Sequence, residues 1–122
     1  LDQEKRKEID ESPLLDHKSA LDYVQGDKDF LKEIFEIFLE EIPQRKSNFE
    51  KALADKDMEK LTSVAHALKG VSLTIGAVSC HKLSAEIEYA ARAKDFEKAA
   101  GLYKELDTVL DNLKRELHTY LN

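Results

Sequence analysis

From Phe96 to Tyr120 the apolar residues stand at Phe96, Ala99, Tyr103, Leu106, Leu110, Leu113, Leu117 and Tyr120, so the steps alternate three, four, three, four. A strand cannot use that pattern, because its side chains change face at every residue. On a helix the same residues form a narrow seam, as expected for a bundle helix packed at a shallow angle. So long an apolar edge has to be covered, and the cover must come from the rest of the chain. The seam therefore predicts helices packed on helices.

The upstream sequence supplies them. Asp27 is a good N-cap, and the segment after it carries Phe30, Leu31, Ile34, Phe35, Phe38 and Ile42 at helical spacing. Pro43 falls inside the pattern, but Phe49, Ala52 and Leu53 resume it. One long helix kinked near Pro43 is expected, with two helices as the alternative. Phe30, Ile37 and Leu39 widen the apolar face. A broad core is the simpler account of them, and an exposed docking patch is the other. Asp57 caps a third helix expected to run to Ile75 and close at Gly76. A fourth, over 78–94, places Leu83, Ile87, Ala90 and Ala91 on one face, and Asp95 caps the fifth. Ahead of these, Asp16 caps a short helix, HKSALDYV, that Gly26 ends. Residues 1–13 are mostly charged and offer no apolar stripe, so they read as a linker or frayed lead-in. The predicted fold is all-α: an antiparallel four-helix bundle over 14–122 with a short additional N-terminal helix.

Composition narrows the function classes. The chain has 122 residues, enough for one core, and is 42% hydrophobic and 36% charged. A net charge of −6 repels a phosphate backbone, which argues against nucleic acid as a partner. No apolar run approaches the ~20 residues that span a bilayer, and no secretory signal is visible. The single cysteine, Cys80, forms no internal disulfide and fits a reducing compartment. Because the chain begins with Leu1, it is expected to be a piece of a longer protein.

The stretch AHALKGVSLTIGA, residues 65–77, departs from an ordinary bundle helix. Leu61, Val64, Ala65, Leu68, Val71, Ser72 and Ile75 fall within one arc when projected at about 100° per residue, and that arc is the core stripe. His66 points roughly 170° from its centre, towards solvent. Lys69 and Gly70 are its i+3 and i+4 neighbours and share its face, as does the apolar Leu73. Glycine inside a helix costs roughly 1 kcal/mol relative to alanine. Here it bares the backbone beside the ring, so another molecule can approach the imidazole. Lys69 places a cation near any anion that arrives, and a neutral imidazole is a good nucleophile. These parts suit transient phosphorylation of His66. An ordinary surface histidine beside an ordinary surface lysine remains the alternative on geometry alone.

The same stretch closely resembles the signature of histidine-containing phosphotransfer (HPt) domains, His-x-x-Lys-Gly followed by small residues and a Gly-Ala or Gly-Leu pair. LDHKSALDYVQGDKDFLKEIFEIFLEEIP resembles the family's opening and long second helices, and DFEKAAGLYKELDTVLDNL its last, so the resemblance covers about 14–122. It implies that His66 is the phospho-accepting residue, its Nε2 attacking the aspartyl phosphate of a response-regulator receiver domain. Lys69 matches the lysine that interacts with the phosphoryl group, Gly70 the small residue that clears space, and Gly76–Ala77 the closing pair. Thr62, Ser63, Leu73 and Ala77 are the candidate receiver contacts. Val71 and Leu73 flank Ser72 with more bulk than the family pattern, and Leu73 is the candidate for partner choice. The resemblance further implies no ATP binding or kinase activity and no cofactor here, the Mg²⁺ belonging to the receiver. It implies a cytoplasmic monomer, free or as a module of a membrane-anchored hybrid sensor kinase. A phospho-accepting domain of a chemotaxis-type kinase and a non-phosphorylated helical adaptor are the alternatives.

Other constellations are weak. His17, Cys80, His81 and His118 lack zinc-site spacing. Residues three before each histidine, Leu14, Ser63, Val78 and Arg115, exclude the Glu-x-x-His pairs of di-iron bundles. Cys80 is expected at a helix edge as a small hydrophobe. Tyr89, Tyr103 and Tyr120 are expected in the core or at its boundary.

Overall fold

A computed structural model describes residues 13–122. The expected lead-in lies outside these residues except for Pro13. Among them are five helices, in order α1 (His17–Tyr23), α2 (Lys28–Ala54), α3 (Met58–Thr74), α4 (Val78–Arg92) and α5 (Phe96–Leu121). The last four form the bundle. Each packs on its neighbour in sequence, and α5 closes the ring against α2, while α1 leans on α2. Connectors of three residues, 55–57, 75–77 and 93–95, reverse the chain each time, so adjacent helices run antiparallel.

Local chemistry explains the boundaries. Asp16, Asp27, Asp57 and Asp95 each accept a hydrogen bond from the backbone N–H three residues on, at 3.1, 3.0, 3.0 and 3.1 Å. Each connector turns through one residue with positive φ: Lys56 at 51°, Gly76 at 74° and Lys94 at 58°. Lys94 therefore stops α4 at Arg92, two residues before the expected end at 94. Pro43 lies inside one continuous helix, which overturns the two-helix alternative. Phe38, Ile42 and Phe49 are buried on either side of it. That burial outweighs a hydrogen bond lost to the proline ring.

The glycine at 76 is required by packing. A Cβ there would stand 2.5 Å from the carbonyl oxygen of Asp16, whose N–H already donates to the Gly76 carbonyl at 2.7 Å. One residue on, Ala77 is the N-cap of α4 and offers no side-chain hydrogen bond, and the Pro13 carbonyl instead accepts from Ser79 N at 3.2 Å. Pro13 was grouped with the lead-in, yet it takes part in this contact.

The core contains the α5 seam, with Ala99, Tyr103, Leu106, Leu110, Leu113 and Leu117 all buried. Tyr103 stacks on Phe49 and donates to Glu50 at 2.9 Å, and Lys46 pairs with Asp107 at 2.8 Å, so α2 and α5 are joined by polar contacts as well. Three expectations need correction. Of the widened α2 face, Leu39 packs on the core, but Phe30 and Ile37 are exposed, since both lie outside the Leu31–Phe35–Phe38–Ile42 stripe. Tyr89 is 75% exposed, because the α4 stripe runs through Leu83, Ile87, Ala90 and Ala91 and turns Tyr89 away. Cys80 is fully buried and not at an edge; Ser72 Oγ donates to its sulfur at 3.1 Å, and burial pushes its thiol up to about 11. That thiol stays protonated and unreactive at neutral pH.

Candidate functional site

The outer face of α3 is set by its inner one. Leu61, Ala65, Leu68 and Ser72 are buried against the neighbouring helices, which rotates His66, Gly70 and Leu73 outward. The His66 side chain is 65% exposed and Leu73 is 67% exposed. Gly70 meets nothing: a Cβ built there finds no atom within 4 Å. Among the described residues no packing requires a glycine at that position.

The antiparallel register of α3 and α4 brings a residue to His66 that the motif does not contain. Glu88 on α4 is buried, its side chain 7% exposed, and its Oε2 lies 2.9 Å from His66 Nδ1. Lys69 Nζ reaches Glu88 Oε1 at 2.7 Å, and Arg92 Nη2, one turn along α4, reaches Oε2 at 2.8 Å. Burial raises the Glu88 pKa, but hydrogen bonds from Lys69, Arg92 and His66 outweigh it and bring the group down to about 2. Glu88 is therefore ionised at neutral pH and can only accept. The proton between it and the ring must sit on Nδ1. In the neutral imidazole that assignment leaves the lone pair on Nε2, at the edge of the ring away from Glu88. A second ring, His81 on α4, places Nδ1 2.9 Å from the Lys69 carbonyl and ties the two helices together two turns before Glu88.

The sequence-derived residues divide. His66, Lys69, Gly70 and Leu73 share one face. Lys69 is less open than projection suggests, because its ammonium is drawn onto Glu88. Ser63 is exposed and Thr62 half-buried, and their hydroxyls donate within α3, to Glu59 O at 3.3 Å and Met58 O at 2.7 Å. Ala77 does not belong with them. It is fully buried in the connector, packed where α3 passes to α4, and cannot touch a partner. Glu88 and Arg92 were missed, although the sequence carries a signal for them. Glu88 falls on the Ser84–Glu88–Ala91 side of the buried α4 arc, where a carboxylate needs a partner, and Arg92 stands at i+4. Among the described residues no group of three or more His, Cys, Asp or Glu side chains is placed to hold a metal ion.

Comparison with known proteins gives the chain a family. A family model described as the Hpt domain matches residues 33–119. The phosphorelay intermediate protein rdeA of Dictyostelium discoideum is 24% identical over 105 residues, 86% of this chain and 41% of that protein. Histidine-containing phosphotransfer protein 2 of Arabidopsis thaliana is 27% identical over 100 residues, 80% of this chain and 64% of that protein. The chain thus spans 41% and 64% of the length of these two curated relatives. In fold it is similar to histidine-containing phosphotransfer protein B (HptB) of Pseudomonas aeruginosa PAO1, with a TM-score of 0.84, 22% identity, and coverage of 90% of this chain and 96% of that one. The HPT domain of a sensor hybrid histidine kinase from Shewanella gives a TM-score of 0.80 at 22% identity, covering 88% and 93%. The model match covers well over half the sequence, and the chain belongs to the Hpt domain family.

Proposed function

We propose that residues 14–122 form a phosphorelay domain that takes a phosphoryl group on His66 Nε2 from a receiver-domain aspartate and passes it to another receiver. The observation that carries this is the His66–Glu88 contact. An ionised carboxylate on Nδ1 fixes the tautomer and turns the nucleophilic nitrogen away from the protein. An adaptor that never reacts has no need of that arrangement. Gly70 leaves the approach open, and Lys69 stands one turn from the ring, within reach of a phosphoryl group. Leu73, Ser63 and Thr62 form the rim on which a receiver would dock. In this reading the chain has no kinase activity and no cofactor of its own, and the receiver supplies the metal and the carboxylate. The names of the curated relatives support a relay role. A cytoplasmic monomer, free or as a module of a hybrid kinase, fits the same reading. Among the described residues no helix is long and apolar enough to cross a membrane.

The test is to mix the domain with a phosphorylated receiver and follow acid-labile, base-stable label. Transfer to the natural sequence and none to His66→Gln is expected. Label that persists in His66→Gln moves the site elsewhere, and absence of transfer from every receiver of the same organism removes the relay reading.

A further inference from the structure

Glu88 holds more donors than one imidazole requires, and they divide unequally between its two oxygens. His66 Nδ1 and Arg92 Nη2 share Oε2 at 2.9 and 2.8 Å, while Lys69 Nζ sits on Oε1 at 2.7 Å. The charged groups facing the Nδ1 edge of the ring thus come from both helices, Lys69 from α3 and Glu88 and Arg92 from α4. Before reaction the carboxylate has two counter-charges, Lys69 and Arg92, beside a ring whose Nε2 must be unprotonated to react.

Phosphorylation alters that balance; this step rests on the phosphotransfer reading above. The Nε2 lone pair forms the N–P bond as the P–O bond to the aspartyl carboxyl breaks, and the bonding electrons leave with the aspartate carboxylate. The ring keeps its Nδ1 proton and becomes a phosphoimidazolium, positive in the ring and doubly negative on the phosphoryl oxygens. A buried carboxylate stripped of counter-charge is costly. Now, however, the ring itself supplies one. Lys69, one turn from His66 on the same helix, is the cation nearest in sequence to the new phosphoryl group.

We propose that phosphorylation makes Glu88 exchange partners: it releases the Lys69 ammonium to the phosphoryl group and takes the His66 imidazolium in its place, while Arg92 holds the carboxylate throughout. Glu88 keeps two counter-charges before and after, Lys69 with Arg92 first and His66 with Arg92 second. The guanidinium presents five N–H donors in a fork, so it can extend over Oε1 as Lys69 leaves. Glu88 and Arg92 act as positioning residues, and Lys69 alone of the three touches the transferred group. The negative charge of Glu88, beyond its ability to accept a hydrogen bond, is what the exchange needs.

The experiment uses the full chain, ¹⁵N-labelled, phosphorylated by phosphoramidate with no receiver present. The Lys69 ammonium and His66 ring nitrogens are followed by NMR, with Lys69→Gln for assignment. On phosphorylation the Lys69 signal should move. The proton affinity of Nδ1 in the phosphorylated ring should be roughly tenfold higher than in Glu88→Gln. Lys69→Gln should leave that affinity near the natural value, since the ring keeps its carboxylate. A Lys69 signal unmoved in protein labelled at His66 overturns the exchange, and so does equal Nδ1 affinity in the natural chain and Glu88→Gln. The Lys69 measurement needs no variant at position 88, so it decides the matter even where Glu88→Gln fails to fold. A chain that takes label neither from phosphoramidate nor from any receiver overturns the phosphotransfer reading instead.

Discussion

A single missing methyl group separates stability from activity at position 70. Among the described residues nothing occupies the space beside Gly70, so Gly70→Ala should raise stability by about 0.5–1 kcal/mol through helix propensity. The same methyl would crowd the path to Nε2. Receiver-dependent labelling should therefore slow while the denaturation midpoint rises, and the two measurements on one variant check it. Glu88 gives a second prediction, in pH. Its carboxyl is lowered from 4.5 to about 2 by its three donors, so folding gains from its ionisation above about pH 4.5 and loses that gain as pH falls through about 2. Denaturant midpoints taken from pH 6 down to pH 2 should show a smaller acid loss in Glu88→Gln than in the natural chain. Glu88 also marks what residue-level inspection of the sequence misses. The motif at 65–77 contains the ring proposed to react, but the carboxylate paired with its Nδ1 lies 22 positions away on another helix. Only the pairing of α3 with α4 joins them.

At the scale of elements, the connectors were more legible than the surfaces. Aspartates at 16, 27, 57 and 95 mark four helix starts in advance, because an N-cap acts through its immediate neighbours and needs no tertiary partner. Ala77 lacks such a side chain, and its burial was not visible from spacing, since it depends on Pro13 and Asp16 folding back onto the α3–α4 connector. Gly76→Ala should cost about 1–3 kcal/mol, because it pushes a methyl into the Asp16 carbonyl at a positive φ. Thermal melts of the two alanine variants should therefore move in opposite directions, Gly70→Ala up and Gly76→Ala down. Phe30 and Ile37 show the opposite limit of pattern reading. Apolar identity placed them in the core by default, yet the turn of α2 leaves them in solvent.

On the whole molecule, the core lies inside the ring of four helices and the face proposed to react lies on the outside of α3. Fold and function should then separate. His66→Gln should leave the melting curve within about 0.5 kcal/mol of the natural protein, as expected for an exposed position, while abolishing label. A large shift in the melt would mean that the His66–Glu88 contact supports the bundle itself. Fold class and helix order could both be read from the chain, since heptad spacing and capping are local signals. The charge cluster behind the ring could not, because it is a product of register between helices.

The empty space beside Gly70 and the outward turn of Leu73 have a consequence for how such a domain can change partners. Ser63 and Leu73 are exposed and add nothing to the interior, so in the proposed reading substitutions at these two positions alter what docks without altering what folds. On that reading recognition is written on one outer strip of one helix, and the proposed reacting group, His66, keeps its place beside it. A designer, or a duplicated gene, can rewrite that strip alone and re-address the same chemistry to a different receiver.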